Sequence, residues 1–427
     1  MIALLIILLL LVLILLRVPV SFAVLTAGAL GLWLVAGTPT LDGVMQTAPA
    51  TAVMSYSLSA VPLFILMAQL ILLSGYLDSL FDAARALVGQ VRGGTASASV
   101  AAGTAFAAVS GSSTASAATL AQTSTVQMIR EGYSTRTAGG LVAVVGTLAA
   151  MIPPSIILVF YAITAEVSVG TQLVSGFFPG ILIAIVIIAT MYAGLLRNPD
   201  AAPAGQSSTW TEKRQAVVEA APLLIVFIMV VGSIYAGIAT PTEAAALGCL
   251  AAFVLVAIKR RVSASGLTHA VVETVQSTAM IFAMIVGAHV FGHFLTETRV
   301  TPKLVAWVGD LAVPGLVIML CVAAVYVVLG FFMDQIAIIA LTVPVVLPLV
   351  ESLGYDPIWF GVFVVMLAEV GMVTPPMGLN VFVVSRSAKL PLHDVFVGAF
   401  PYVVSILLLA VVFLLFPQIV LFIPESM

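Results

Sequence analysis

Charge is what this sequence has least of. Only 8% of its 427 residues are Asp, Glu, Lys or Arg, against about 25% in a soluble domain. That shortage excludes a water-soluble globular protein, and a net charge of −3 offers no basic surface for nucleic acid. Cysteine is nearly absent. Cys249 and Cys321 each sit in an apolar run, which excludes a disulfide framework or a thiolate metal centre and leaves them as small core side chains. Histidine is almost as rare, with 4 in the chain. His289 and His293 share a helix face, but no metalloprotease glutamate accompanies them, so polar helix contacts are expected rather than a metal or haem site. Long polar stretches are missing too. The longest, residues 198–211, is rich in Ala, Pro, Ser and Gly and suits a linker, and no segment is large enough for a soluble domain.

Apolar runs fill the rest, since 62% of the chain is hydrophobic. A membrane-spanning helix needs about 20 apolar residues. The run 2–16 lacks the basic flank and small-residue cleavage site of a signal peptide, and is expected to be a retained first helix, followed by a second at 20–35. Further spans are expected at 58–73, 173–195, 216–235, 243–258, 271–294, 317–332, 358–372 and 395–416. Residues 95–128, 141–164, 336–350 and 378–388 are too short or too interrupted for simple spans, and read as half-helices and re-entrant hairpins. Arg197, Lys213 and Arg214 flank one loop and Lys259-Arg260-Arg261 form another, two helices apart. Both loops therefore share a side, which the positive-inside rule makes cytoplasmic.

The apolar pattern is broken twice in the same manner. Met151-Ile152-Pro153-Pro154-Ser155 and Val373-Thr374-Pro375-Pro376-Met377 stand 222 positions apart, as do Gly132-Tyr133 and Gly354-Tyr355, and Gly139 and Gly361. Paired prolines cannot continue a helix, because two N–H groups are missing and the rings clash with the preceding turn. Broken backbone survives at membrane depth only where protein or a cavity shields it. Corresponding breaks in two halves of a membrane chain point to a transporter binding site, often in halves of inverted topology.

Near these breaks lie the residues with chemistry to offer. The run Ser110-Gly111-Ser112-Ser113-Thr114 combines hydroxyls with a turn-permitting glycine. Its oxygens suit Na⁺ and the N–H groups of a half-helix suit a carboxylate, although the same run also suits a small-residue packing face. Asp334 occupies the place of Ser112 in the second half and is an expensive residue at membrane depth. It reads as a cation ligand, a helix cap, or both. Thr374-Pro375-Pro376-Met377-Gly378-Leu379-Asn380 offers a hydroxyl, unpaired carbonyls, a flexible glycine and an amide. Thr147 and Asn380 fit either a site or interhelical hydrogen bonds. Arg299 suits a substrate carboxylate, an interfacial position, or a pair with Glu297. Glu369 reads as an internal ion-pair partner, Arg386 and Lys389 as markers of a membrane end, and Thr240-Pro241-Thr242-Glu243 as a helix start.

Taken together, these motifs, with Gly237-Ile238-Ala239-Thr240-Pro241-Thr242-Glu243-Ala244-Ala245 and Gly330-Phe331-Phe332-Met333-Asp334, resemble the large membrane subunit of TRAP transporters, the tripartite ATP-independent periplasmic carriers. The resemblance runs from about the first helix to the C-terminus. It implies an all-α polytopic protein of two repeat halves, with re-entrant hairpins and broken helices, in which an elevator-type transport domain moves on a scaffold. Residues 1–94 would then be N-terminal scaffold helices, 95–196 the first hairpin and broken-helix repeat, 197–270 the linker and scaffold helices, 271–394 the second repeat, and 395–427 the C-terminal helix. The resemblance further implies a first Na⁺ site on Ser110, Gly111, Ser112, Ser113 and Thr114, with Thr147 and Pro153. A second would lie on Gly330, Phe332, Asp334, Thr374, Pro375 and Gly378. Arg299, with Asn380 and Ser112, would meet the substrate.

The implied partners are a small four-helix membrane subunit, a periplasmic substrate-binding protein, a carboxylate such as a C4-dicarboxylate or a sialic acid, and the lipid bilayer of the bacterial inner membrane. No cofactor is implied beyond Na⁺ as coupling ion. The expected function is Na⁺-coupled import of organic acids by a multi-pass secondary transporter rather than an enzyme. A stand-alone ion-coupled carboxylate transporter is the alternative, ahead of a polytopic enzyme, which lacks clustered catalytic groups, and of a channel, which needs no paired broken helices.

Overall fold

In a computed structural model, residues 2–16, 18–197, 202–203, 208–311 and 313–426 are described. Most of the expected linker at 198–211 lies outside them. The chain is helical throughout, with no strand among the described residues. The first four helices are α1 (Ile2–Leu15), α2 (Val20–Val53), α3 (Ala60–Ser74) and α4 (Tyr76–Val88). The backbone of α2 leaves helical geometry at Gly37 (φ 77°, ψ −178°), close to the expected end at 35, and a second helical stretch continues beyond that kink to Val53.

A hairpin follows, made of α5 (Gly94–Ser110) and α6 (Ser113–Leu120), the latter continued through a π-turn at Ala121–Thr125 into α7 (Val126–Arg130). Helix α8 (Thr135–Val145) tightens into a 3₁₀ turn at Gly146–Ala150, breaks at the first proline pair, and resumes as α9 (Ile156–Thr164). Then come α10 (Val169–Ser175), α11 (Phe177–Arg197), α12 (Trp210–Tyr235), α13 (Pro241–Ile258), α14 (Ala264–Thr298) and α15 (Val300–Gly309). The second hairpin is α16 (Gly315–Gly330) and α17 (Gln335–Ser352). The second broken helix is α18 (Pro357–Met372) and α19 (Leu379–Ala388), and α20 (Leu392–Leu415) and α21 (Gln418–Leu421) close the chain.

Moved by 222 positions, α5 through α9 fall on α16 through α19, so the repeat extends well beyond the motifs that announce it. Hairpin and broken helix recur as one unit. Among the described residues, 8 helical runs are long and apolar enough to cross a bilayer, and the protein is a multi-pass membrane protein. Helix α16 is not among them. The span expected at 317–332 is instead one arm of the second hairpin. Its 16 residues reach only about 24 Å at 1.5 Å each, short of a hydrocarbon layer of about 30 Å, and Asp334 then starts the returning arm.

The two hairpins enter from opposite faces. Helix α14 begins directly after Lys259-Arg260-Arg261 and ends on the far side, where the short α15 leads to the base of the second hairpin. The base of the first hairpin lies on the basic side. There the Gln90 amide donates to the Ser208 carbonyl at 3.1 Å and Arg92 to the Ala202 carbonyl at 3.2 Å. The halves are therefore inverted. Helix α13 starts as its sequence indicates, with a reciprocal cap in which Thr240 accepts from the Glu243 N–H at 3.3 Å and Glu243 accepts from the Thr240 N–H at 2.8 Å.

Packing separates an outer layer from an inner unit. Helix α2 lies along α14 through buried Ala23, Ala27, Gly28 and Gly31, and α3 packs against both α13 and α14. Inside, α8 crosses α20, where Asp394 accepts from Thr135 at 2.7 Å and from Arg136 at 3.0 Å. The outer layer includes α14, although its residues 271–298 fall inside the expected second repeat. Long α14 is the wall that faces both hairpins' broken ends.

Candidate functional site

The first hairpin turns at Gly111, whose φ of 59° favours glycine. A Cβ there would also stand 2.8 Å from the Pro154 carbonyl oxygen, so the tip rests directly on the first proline break. Ser112 opens α6 by accepting from the Ala115 N–H at 3.4 Å, and Ser110 and Ser116 share a 2.6 Å hydrogen bond across the turn. In the second hairpin Asp334 opens α17 by accepting from the Ala337 N–H at 3.1 Å. Beyond the first break, Ser155 opens α9 by accepting from the Leu158 N–H at 3.2 Å and ties back to Ala150 with a 2.6 Å bond. Beyond the second, left-handed Gly378 opens α19. Both proline pairs are joined by cis peptide bonds.

These four helix starts line one cavity of about 390 Å³. Ser113, Thr114 and Ala115 come from α6, Ile156 and Ile157 from α9, Gln335 and Ile336 from α17, and Leu379 from α19. The facing wall is outer layer: Gln69 of α3, and Glu273, Ser277 and Met280 of α14. Helix N-termini carry partial positive charge and unpaired N–H groups, so four of them aimed at one space build an anion site. No Lys or Arg is among the lining residues, while Asp334, Glu273 and the serine hydroxyls supply oxygen for a cation.

Between the tips, the repeat-related residues Ser113 and Gln335 touch, the Gln335 amide lying 3.3 Å from the Ser113 hydroxyl. The same amide donates to Glu369, which is 3% exposed. Among the described residues the ion pair expected of Glu369 is not formed; it is hydrogen-bonded by the uncharged Gln335 amide, and its second oxygen has no hydrogen-bond partner among them.

The other sequence-derived candidates spread around this centre. Thr147 is buried beneath it and donates to the Val144 carbonyl at 2.6 Å. Pro153 lies in the break that supports Gly111. Gly330 is pressed against Gly371, where a Cβ would approach the α18 backbone to 2.8 Å; this is a helix contact behind the tip. Phe332 is 57% exposed and outside the cavity lining. Thr374 donates to the Val370 carbonyl at 2.6 Å and, with Pro375, lies outside the lining. Gly378 backs onto the Phe396 ring. Asn380 is fully buried, with neither amide atom hydrogen-bonded among the described residues.

Arg299 is not at the cavity. It takes a left-handed conformation at the joint of α14 and α15, 18 residues beyond Ile281, because α14 runs on unbroken past the site. The histidines occupy a second cavity of about 250 Å³, where His289 and His293 face Glu166, Thr164 and Thr301 further along α14. Cys249 is buried with its thiol 3.3 Å from the Leu63 carbonyl, and Cys321 is exposed.

Gln69, Glu273, Ser277 and Gln335 escaped sequence reasoning. Gln335 was within reach, since the 222-residue offset that pairs Ser112 with Asp334 also pairs Ser113 with Gln335. Glu273 sits two residues into the expected span 271–294, where an acidic residue reads as a membrane edge. Only the packing of α14 shows that it faces a cavity.

Comparison with known proteins agrees with this architecture. The family described as "Tripartite ATP-independent periplasmic transporter, DctM component" matches residues 7–419. The C4-dicarboxylate TRAP transporter large permease protein DctM of Pseudomonas aeruginosa is 33% identical over 372 residues, covering 87% of this chain and 86% of the relative. The sialic acid TRAP transporter large permease protein SiaM of Vibrio cholerae is 29% identical over 377 residues, covering 87% of each. Among solved structures, the YdaH transporter of Alcanivorax borkumensis superposes with a TM-score of 0.58 at 16% identity over 89% of this chain and 88% of its own, a likeness of fold. Inverted hairpin repeats, a central cavity and a family match over nearly the whole length agree, and the chain belongs to the DctM component family of the tripartite ATP-independent periplasmic transporters.

Proposed function

We propose that this chain is the large membrane subunit of a Na⁺-coupled importer of organic acids in the bacterial inner membrane, working with a small membrane subunit and a periplasmic substrate-binding protein. The observation that carries the reading is the convergence of four helix N-termini on one cavity that contains no basic side chain. Such a site attracts a carboxylate but lacks a fixed full positive charge to hold it. Cations bound at the hairpin tips supply that charge, which couples the two ligands. Ser110 to Thr114 with the first proline break form one cation-binding region, and Asp334 with the second break forms the other. The relatives carry C4-dicarboxylates and sialic acids in their names, which supports a carboxylate as the class of substrate.

The unit of hairpins and broken helices moves along α14. The main cavity lies against residues 273–281 of that helix and the histidine cavity against 285–296. Their centres are roughly 13 residues apart along α14, about 20 Å at the helical rise. With the basic side cytoplasmic, the cavity at Glu273 lies in the inner half of α14, and the structure fits an inward-facing state.

Reconstitution in proteoliposomes with both partners tests the reading. Accumulation of the organic acid is expected with an inward Na⁺ gradient and is expected to vanish when the gradient is collapsed. Accumulation that persists without Na⁺ defeats the coupling, and uptake by this chain alone, with neither partner, supports a stand-alone transporter instead.

A further inference from the structure

We propose that His289 and His293 are the outer half of the substrate site, side chains of the stationary wall that receive the substrate carboxylate when the moving unit stands at the outer end of α14. The proposal deepens the Na⁺-coupled reading above and rests on it. The residues of α14 that line the two cavities run from Glu273 and Ser277 at one end to His289, His293 and Thr296 at the other. They fall at steps of three and four, so they form one stripe along the helix. Between its ends that stripe is apolar and closely packed, with Ile281, Met284, Ile285 and Ala288 buried. Polar groups at both ends of an apolar band suit two resting places for one sliding site.

Helix α17 links the two places. Gln335 and Ile336, at its start, line the main cavity, and Pro344 lines the histidine cavity. Nine residues separate Gln335 from Pro344, so an outward travel of about 14 Å carries the hairpin tip to the level of the histidines. The wall met there differs in chemistry. At the inner end Glu273 presents a carboxylate, which favours a cation beside it and disfavours an anion. At the outer end His289 and His293 are exposed and line the cavity with Thr296 and Thr301. Each imidazole has an N–H to donate, charged or neutral. In the present arrangement the moving unit brings Glu166, just beyond α9, to the same cavity. Outward travel carries Glu166 past the histidines and brings the four helix starts in its place, so the substrate carboxylate succeeds the Glu166 carboxylate there. The anion is held more tightly at the outer end than at the inner, which favours capture outside and release inside.

The test is substrate binding to the membrane complex in nanodiscs, with the moving unit held by a bifunctional thiol cross-linker. Ile336→Cys with Ile281→Cys holds the inner state and Ile336→Cys with Gly292→Cys the outer, Cys249 and Cys321 being replaced by Ala. The probes are radioactive succinate and sialic acid, in saturating Na⁺. In the outer state H289A/H293A is expected to weaken binding about tenfold, the scale of one hydrogen bond to a charged group. H289Q/H293Q, which keeps an N–H donor at each position, is expected to recover most of that loss, and neither double variant is expected to change binding in the inner state. Outer-state binding unchanged in H289A/H293A overturns the assignment. So does an outer cross-link that fails to form while the inner one forms, or an outer state that binds neither probe. If E166Q reproduces the loss, the histidines serve Glu166 rather than the substrate, and the assignment is again overturned. Where the double variant does not assemble, H289A and H293A singly decide by the same comparison. An unmodified complex that neither binds nor accumulates either probe is a different result, and would remove the proposed function itself.

Discussion

Asp334 and Ser112 hold equivalent places at the two hairpin tips, and each opens the returning helix with its side-chain oxygen. Asp334 alone adds a charge, so its two roles can be separated. Asn caps a helix about as well as Asp, and Asp334→Asn is expected to leave the melting temperature unchanged. The Na⁺ half-saturation of uptake is expected to rise about tenfold, equivalent to about 1.4 kcal/mol of cation binding. A titration with unchanged half-saturation would reduce Asp334 to a cap. Glu369 shows the limit of reading single residues. Its depth and cost were visible in the sequence, but a partner had to be assumed, and the bonded group is the Gln335 amide of the second hairpin, 34 positions away.

Half-helices are the elements that make this site, and each depends on how it begins. Ser155 both caps α9 and reaches back to Ala150, bridging the break. Ser155→Ala is expected to destabilise the protein by about 1 kcal/mol, the worth of an N-cap, and Ser155→Asn to recover most of it. Thermal unfolding in detergent reads both, and equal stability of Ala and Asn variants would contradict the capping role. The proline breaks and the start of α13 were legible in sequence, because proline, glycine and capping residues act locally, whereas the inversion of the two halves was only a possibility until the hairpin bases were placed on opposite faces. The role of α16 was not. Its 16 apolar residues look like a span until Asp334 is seen to turn the chain back. Likewise sequence did not show that Gly330 also serves the close approach of α16 and α18 through Gly371. Hydropathy alone does not tell a helix facing lipid from one facing protein.

At the scale of the whole molecule, inversion brings four helix starts from opposite faces to one place, and α14 faces them at residues 273–281. Sequence indicated that the broken segments belonged together. It did not reveal that the outer wall contributes Gln69, Glu273 and Ser277, since those residues reach the hairpin tips only through the packing of α3 and α14. Arg299, the one cation that sequence offered for the substrate, lies well beyond the cavity on the same helix. The account therefore places the anion on backbone N–H groups and bound cations rather than on a guanidinium. Electron cryomicroscopy of the complex in Na⁺ with a brominated carboxylate substrate tests this most directly. Density for the carboxylate is expected inside the cavity, within hydrogen-bonding distance of the first N–H groups of α6 and α17. Density beside Arg299, with the cavity unliganded at saturating substrate, would contradict the account.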